Sequence, residues 1–317
     1  MNGHIPSSRF IFSSTDQGQY RAPTLQQAGN LQGVFKSGKI VVGTSLSYPS
    51  RHVAKTVAVT GAAWCWIDAE HVAWSQDMLI ECIQIIIHES GGKMIPVVRV
   101  PSKTAFDYMA WCLDAGAGGI IIPHLDTVEE MKEVIAACRF PPIGHRSFPP
   151  FTFASCPQIC ADIDLPPLQI PGVTDTTPEG ETVFSLANKH VAIIPQIESR
   201  VGIKNLEEIM KLKEISAFMI GAGDLRMEMG LSPGMTGDEP EFVAALEKAK
   251  RVSEQTNIPL LGVAIGPEMI KQRIDQGFKI LCCSMDLHAL AFGMMQTLGE
   301  ARAVAEEHLQ ERHGAAK

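Results

Sequence analysis

The residues best suited to chemistry in this chain are two acids, each of which follows an apolar run. Glu198 follows a run that ends in PQI, and Asp224 follows the small-residue turn GAG (221–223). Two carboxylates, with water and substrate oxygens as the other ligands, suit a hard cation such as Mg²⁺ or Mn²⁺. The pattern favours a divalent metal site. The structural alternative for Glu198 is a salt bridge to its neighbour Arg200 or a cap on the next helix.

A second group of residues could bind or protonate a substrate. Arg99 stands in the apolar segment VVRVP, where a buried guanidinium needs an anion, either a substrate carboxylate or Asp68. His71 follows Asp68 by three residues, so that carboxylate could orient the imidazole as a base. His124 could be a second acid/base or a substrate contact, although a lone histidine is more often structural.

Eight short apolar segments alternate with helical patterns, and each candidate residue lies at or near the end of one of them. This alternation indicates βα units around a parallel sheet, and eight strands is the number in a (β/α)₈ barrel, whose active sites lie at the carboxyl ends of the strands. The doubly wound sheet is the competing fold, but no G-x-G-x-x-G follows an early strand. The predicted strands are 39–44, 63–68, 94–100, 118–123, 191–197, 216–221, 259–264 and 279–284.

The segments between the predicted strands have the 3.6-residue period of amphipathic helices. In VEEMKEVIAAC (128–138) the apolar residues fall on one face, and FVAALEKAKRVSEQ (242–255) repeats the pattern. Gly116 and Gly277 precede strands, where glycine commonly ends a helix. Pro240 is suited to the first turn of the second of these helices.

Two segments depart from the alternation. Residues 1–38 are polar and predict an extended arm with one short helix over 24–37, so the predicted domains are this arm, a barrel over 39–312 and a tail over 313–317. The proline-rich insertion 139–190 follows the fourth strand, which predicts a place on the catalytic rim. Its segment GHRSFPPF (144–151) could cover the mouth of the site or be an ordinary rigid loop.

Composition excludes several classes of protein. The net charge is −8 and no run of Lys or Arg could follow a phosphate backbone, so nucleic acid is not an expected partner. No amino-terminal leader or membrane span is visible, which predicts a cytoplasmic protein with no membrane partner. The eight cysteines therefore predict reduced thiols, and the pair Cys156 and Cys160 lacks the partners of a zinc signature.

Five segments, in this order along the chain, resemble the HpcH/HpaI aldolase family, and the likeness runs from the first strand to the last helix. They are WIDAEH (66–71), VVRVP (97–101), GIIIPHLDTVEEM (119–131), PQIES (195–199) and GAGDL (221–225). The resemblance implies a barrel of the phosphoenolpyruvate/pyruvate-binding type. It also implies Mg²⁺ on Glu198 and Asp224, with Mn²⁺ or Co²⁺ as alternatives, and a 2-oxo acid that binds this metal and Arg99.

The resemblance implies further roles around that 2-oxo acid. Asp68 and His71 act in proton transfer, and Gln196 donates a hydrogen bond to the substrate. The implied chemistry is aldol cleavage or condensation of pyruvate with an aldehyde, together with decarboxylation of oxaloacetate. The other residues implied in the substrate site are Trp66, His124, Gly223 and Asp224.

One difference from the family concerns the second substrate. A subgroup that forms carbon–carbon bonds with 2-pyrones has a tyrosine shortly before its counterpart of His190, but this chain reads ETVFSLANKH there, next to an apparent insertion at 169–181. Enolate chemistry is therefore the leading hypothesis, ahead of pyrone chemistry. A CoA-thioester lyase and a barrel that binds 2-oxo acids without turnover are the alternatives.

The resemblance also implies a homo-oligomer, a hexamer built as a trimer of dimers with its last helix exchanged between subunits. Residues 287–312 suit that use because Leu290, Met294, Leu298 and Ala301 recur at helical spacing. The alternative is an ordinary eighth barrel helix that packs on its own subunit.

Overall fold

Eight parallel strands close into a barrel in the computed structural model, which describes residues 30–147 and 180–314. Each strand pairs with the next, and β8 pairs with β1. The predicted eight-stranded barrel is therefore confirmed. The strands are β1 (Val41–Leu46), β2 (Trp64–Asp68), β3 (Ile95–Arg99), β4 (Gly119–Ile122), β5 (Ala192–Ile197), β6 (Phe218–Ile220), β7 (Leu260–Val263) and β8 (Phe278–Met285).

Helices follow the strands as the periodicity predicts. The bounds of α5 match the predicted segment 128–138, and a reciprocal capping box between Thr127 and Glu130 begins this helix. Gly116 and Gly277 have the positive φ expected of glycines that end helices. The helices are α1 (Leu31–Phe35), α2 (Arg51–Ala58), α3 (Gln76–Glu89), α4 (Phe106–Asp114), α5 (Val128–Cys138), α6 (Val183–His190), α7 (Arg200–Ile209), α8 (Ala222–Glu228), α9 (Pro240–Thr256), α10 (Pro267–Asp275) and α11 (Asp286–Gly314).

Side chains alternate between the barrel interior and the layer of helices, because successive strand residues point to opposite faces. Trp64 and Trp66 belong to the interior cluster, whereas Cys65 and Ile67 pack against the helices. Gly43 makes room for this arrangement, since a Cβ there would lie 2.3 Å from the Trp64 indole. On β2 the interior face continues to Asp68, the last residue of the strand.

The amino-terminal end of the barrel is closed by α1. Leu31 and Phe35 are buried in the interior cluster, and Phe35 meets Trp64 edge to face. The Gln32 amide donates to the carbonyl of Val191, just before β5. At least this part of the predicted arm therefore packs as part of the barrel, and the helix expected over 24–37 is present at 31–35 in the described residues.

The insertion begins and ends, in its described residues, at the amino-terminal end of the barrel, whereas the sequence predicted a place on the catalytic rim. It follows α5, which has already returned the chain from the catalytic rim, so it starts beside the first residues of β5. Arg139 donates to the carbonyl of Val191, and Arg146 pairs with Asp114 at the end of α4. The described part of GHRSFPPF, residues 144–147, therefore lies at the amino-terminal end and does not cover the site mouth. Residues 148–179 lie outside the described residues.

The last helix does not pack as an ordinary eighth barrel helix. Every residue from 287 to 310 is exposed, including the apolar residues Leu290, Met294 and Leu298. The alternative of an intramolecular eighth helix is therefore wrong for this subunit. Beside it, the outer faces of β1 and β8 line a groove of about 520 Å³, and Ile40 and Val42 there are about half exposed.

Other predictions concern the cysteines and the membrane. Six cysteines in the described residues are free thiols, five of them buried, as expected. Cys156 and Cys160 lie outside the described residues, so the zinc question is not tested. Among the described helices, none is long and apolar enough to span a bilayer.

Candidate active site

The predicted polar residues converge at the carboxyl-terminal rim of the barrel. Asp68 and Arg99 are paired neighbours at the ends of β2 and β3. Gln196 lies near the end of β5, and Glu198 follows that strand. All four are buried. A group of buried charges needs a physical explanation, because an unpaired charge is costly to remove from water.

Arg99 is held by two carboxylates. Its Nε and Nη2 donate to the two oxygens of Asp68 at 2.8 and 2.7 Å, and its Nη1 lies 2.9 Å from Oε2 of Glu70. The guanidinium stacks on Trp66 with its carbon 4.6 Å from the ring centroid. Of the two partners left open by the sequence, Asp68 is therefore present, and the fixed geometry leaves N–H groups on Nη1 and Nη2 for another anion.

Glu70 is a site residue to which the sequence analysis gave no role. Its side chain is 9% exposed, and its carboxylate lies within 4 Å of Arg99, His71 and His124. The signal available in the sequence was a second acid two residues after Asp68, on the same loop as His71. Glu70 therefore links the guanidinium to both imidazoles.

The histidines occupy different positions from those that the spacing suggested. His71 is 65% exposed, and the carboxylate beside it is that of Glu70, with 3.6 Å between Nε2 and Oε2. Both oxygens of Asp68 bind Arg99, so the expected direct contact between Asp68 and His71 is replaced by one through Glu70. His124 bridges two acids, with Nε2 3.5 Å from Glu70 and Nδ1 3.3 Å from Glu198.

Glu198 has both carboxylate oxygens engaged. The backbone N–H of His124 donates to Oε1 at 2.7 Å, and the Gln196 amide donates to Oε2. Burial raises the pKa of Glu198 above its ordinary value; these hydrogen bonds oppose the shift, and the charge of Asp224 adds to it. One N–H of the Gln196 amide is thus used, which leaves its second N–H for a substrate, together with its buried Oε1, which accepts no hydrogen bond from the described residues.

The structural alternatives for Glu198 do not apply. Ser199 provides the side-chain cap of α7, and Arg200 pairs with Glu241 on α9. The position of Glu198 is also sterically defined, because a Cβ on Gly221 would lie 2.1 Å from its Oε2. Gly221 thus allows the close approach of β6 to this carboxylate.

Asp224 is exposed in the first turn of α8, and its carboxylate makes no hydrogen bond or ion pair with the described residues. The N–H groups of the first turn have no partner within the helix, and a Cβ on Gly223 would meet open space. The described residues contain no cluster of three or more metal-binding side chains. The candidate site therefore has two carboxylates and space for other oxygen ligands.

Comparison with known proteins gives one family and several relatives. The model of the HpcH/HpaI aldolase/citrate lyase family matches residues 46–291. A hydroxypyruvate/pyruvate aldolase from Roseovarius nubinhibens is 25% identical over 89% of this chain and 98% of its own length. A 2-keto-3-deoxy-L-rhamnonate aldolase from Escherichia coli K12 is 25% identical over 80% of this chain and 85% of its own length.

One solved structure is similar over nearly the whole chain. A crystal structure of macrophomate synthase has a TM-score of 0.78 and 32% sequence identity, and the match covers 93% of this chain and 99% of that one. The motifs that carried the resemblance, from residue 66 to residue 225, lie within the matched family region.

Proposed function

Because this chain belongs to the HpcH/HpaI aldolase/citrate lyase family, we propose that it is a divalent-metal-dependent carbon–carbon lyase for small 2-oxo acids such as pyruvate or oxaloacetate. The observation that carries the proposal is the pair of acids that follow the neighbouring strands β5 and β6: Glu198 is buried, and Asp224 is exposed and has no partner among the described residues. Two relatives named as aldolases, one of them for hydroxypyruvate and pyruvate, support the substrate class.

Glu198 and Asp224 fit a divalent cation on physical grounds. Burial raises the pKa of Glu198, and the charge of Asp224 adds to the shift because the two carboxylates repel each other. Oxygen ligands of this kind suit Mg²⁺, with Mn²⁺ or Co²⁺ as alternatives. When bound, the cation would stabilise the negative charge that develops on the enolate oxygen of the 2-oxo acid.

The side chains around this pair supply binding and proton transfer. Arg99, fixed by Asp68 and Glu70 over Trp66, would donate its free N–H groups to the oxygens of the 2-oxo acid. Gln196 and His124 orient Glu198. The backbone N–H groups of Gly223 and Asp224, in the first turn of α8, would bind the substrate carboxylate. In this arrangement the protein would bind the 2-oxo acid through the oxygen atoms at one end of the substrate.

His71 is the proposed proton-transfer residue, since it is exposed and lies beside Glu70. In the cleavage direction it takes the proton of the aldol hydroxyl group, and the carbon–carbon bond breaks to release an aldehyde. The enolate then takes this proton at carbon from His71 and leaves as the 2-oxo acid. Decarboxylation of oxaloacetate yields the same enolate with loss of carbon dioxide.

Metal removal tests this proposal. We expect EDTA to abolish the formation of pyruvate from oxaloacetate or from an aldol substrate, and Mg²⁺, Mn²⁺ or Co²⁺ to restore it. Turnover of oxaloacetate must also exceed that of free Mg²⁺, because a scaffold that binds without turnover would not exceed it. Full activity after chelation would falsify the metal mechanism.

Similarity to macrophomate synthase favours a second candidate, a synthase that forms a carbon–carbon bond from the same enolate. The segment before His190, where the pyrone-forming subgroup has a tyrosine, reads ETVFSLANKH in this chain. It contains no phenol hydroxyl group, so condensation with an aldehyde is the preferred reaction. Incubation of oxaloacetate with a 2-pyrone, beside pyruvate with aldehydes, separates the two.

The exposed last helix supports a homo-oligomer in which α11 is exchanged between subunits. Its apolar stripe, with Leu290, Met294 and Leu298, is unburied, and the groove along β1 and β8 is open where an eighth helix would pack. The resemblance to the family suggests a hexamer built as a trimer of dimers. We expect Leu290→Asp/Met294→Asp to reduce the mass measured by light scattering, and an unchanged mass would contradict the exchange.

A further inference from the structure

His124 has an unusual backbone conformation at the rim. Its φ is 50°, in the left-handed region that residues with a Cβ rarely adopt. In the described chain the one other non-glycine residue with positive φ is Asn257, which ends α9, a common position for asparagine. His124 ends no helix, so its neighbours must hold it in this conformation.

The conformation directs two groups of His124 at one oxygen. The backbone N–H lies 2.7 Å from Oε1 of Glu198, and the ring Nδ1 lies 3.3 Å from the same atom. If the residue relaxed to a negative φ, the peptide plane before it would turn and this N–H could not keep its direction. The orientation of the Glu198 carboxylate thus depends on the backbone of His124.

Lys103, in the loop between β3 and α4, holds the other side of that residue. Its Nζ donates to the carbonyl of His124 at 2.9 Å and lies 2.6 Å from Oε1 of Glu130 and 3.6 Å from Oδ2 of Asp126. The ammonium is therefore fixed by two carboxylates while it binds the carbonyl. No other side chain donates to the carbonyl of His124 in the described part of the chain.

The loop after β4 is anchored from several sides. Glu130 uses its second oxygen to accept the backbone N–H groups of Asp126 and Thr127. From the β5 side, Ser199 donates to Asp126, and Asn205 donates to the carbonyl of Asp126. These contacts fix the loop after His124, and the N–H of Leu125 donates to the carbonyl of Gln196 at 3.2 Å. His124 itself contacts Glu70 and Glu198, and Lys103 is the side chain that binds its carbonyl.

We propose that Lys103 is a positioning residue that holds His124 in its left-handed conformation and so orients Glu198 for cation binding. The inference rests on the proposed function to the extent that Glu198 is a metal ligand. Lys103 acts here through hydrogen-bond geometry, and it contacts neither Glu198 nor Asp224.

The sign of the effect separates this role from simple electrostatics. Removal of a positive charge near an anionic site strengthens the binding of a divalent cation, because repulsion falls. Loss of a positioning contact has the opposite effect, since partners of metal ligands are commonly worth about 10-fold to 100-fold in metal affinity. Weaker binding in a Lys103 variant therefore cannot come from its charge alone.

The experiment measures Mn²⁺ affinity by calorimetric titration of the full chain without substrate. We expect Lys103→Met to bind Mn²⁺ about 10-fold more weakly than the wild type, and Lys103→Arg to recover most of the loss because it keeps a donor. Lys211→Met is the matched control, since Lys211 pairs with Glu208 on the exposed end of α7. Unchanged or tighter binding in Lys103→Met would overturn the proposal.

Hydrogen exchange provides a readout that needs no metal. The amides of 124–127 should exchange faster in Lys103→Met than in the wild type or in Lys211→Met, with the melting temperature of each variant recorded as a check on folding. Unchanged protection also overturns the positioning role. If the wild type fails to bind Mn²⁺ while the exchange difference is present, the metal site fails and the role of Lys103 in holding the loop stands.

Discussion

The two ends of the barrel interior differ in the residues that they bury. At the carboxyl-terminal rim, Arg99 is buried against two carboxylates, and Glu198 is buried near a third acid. At the amino-terminal end the interior is filled by Leu31 and Phe35. The barrel interior therefore carries charge at one end that packing alone would not require, and at the other end it is an ordinary apolar core.

Two arginines make the difference specific. Arg139 is as buried as Arg99, but its side chain donates to the backbone carbonyls of Val191 and Glu214. Burial lowers the pKa of Arg139 to about 10. Its guanidinium donates to backbone carbonyls where the insertion begins, whereas the guanidinium of Arg99 has N–H groups left that can bind a ligand. A buried charge therefore indicates a functional site only when its protein partners leave some of its hydrogen-bond donors or acceptors unused.

The largest expected effect comes from the acids themselves. Glu198→Gln and Asp224→Asn should each lower turnover roughly 10⁴-fold, about 5 kcal/mol in the barrier, because each removes a charged ligand of the proposed metal site. Steady-state kinetics at saturating Mg²⁺ and Mn²⁺ titrations measure the two losses. Unchanged metal affinity in both variants would remove these residues as ligands.

Glu198→Gln should raise the stability of the metal-free protein although it lowers turnover. Burial raises the pKa of Glu198, so the charged form destabilises the metal-free fold, and Glu198→Gln should melt higher than the wild type in EDTA at pH 7. Gln196 can turn its Oε1, which has no partner among the described residues, toward the new amide. As the pH falls through the raised pKa, the wild-type carboxylate becomes protonated and the difference closes. A difference that grows on acidification would contradict this account.

The next largest effect is expected from substitution of the two arginines compared above, Arg99 and Arg139. Arg99→Met leaves Asp68 and Glu70 buried without a cation, so we expect a loss of about 3–4 kcal/mol in unfolding free energy and roughly 100-fold in kcat/KM. Arg139→Met leaves carbonyls without a donor, which costs about 1–3 kcal/mol, and turnover should be unchanged. Denaturant unfolding and kinetics on both variants measure the contrast. A loss of turnover in Arg139→Met would show that a change at the amino-terminal end affects the active site at the opposite rim.

The fold was predictable from the sequence because local signals agreed. Strand segments, helix periods and the glycines at 116 and 277 all indicated the same βα repeat, and the structure has the eight strands in that order. The position of the insertion was not predictable by counting from the fourth strand. Which end of the barrel it joins depends on where α5 ends, and that helix ends at Cys138, three residues before Pro141.

The candidate site was predictable at the level of residue types but not of pairing. Position at strand ends brought Asp68, Arg99, Gln196 and Glu198 to one rim. Spacing suggested that Asp68 orients His71, but a guanidinium binds both oxygens of a carboxylate more strongly than an imidazole does. Arg99 therefore takes Asp68, and Glu70 takes the place beside His71.

The smallest expected effect tests the apolar end. Phe35→Leu removes the edge-to-face contact with Trp64 and part of the ring volume, so we expect a loss of about 1–2 kcal/mol in unfolding free energy and unchanged kcat/KM. Val59→Ala is the matched control, because Val59 is 70% exposed at the end of α2 and should change stability by less than about 0.5 kcal/mol. A fall in turnover with Phe35→Leu would mean that the interior cluster transmits packing changes from α1 to the rim through Trp64 and Trp66.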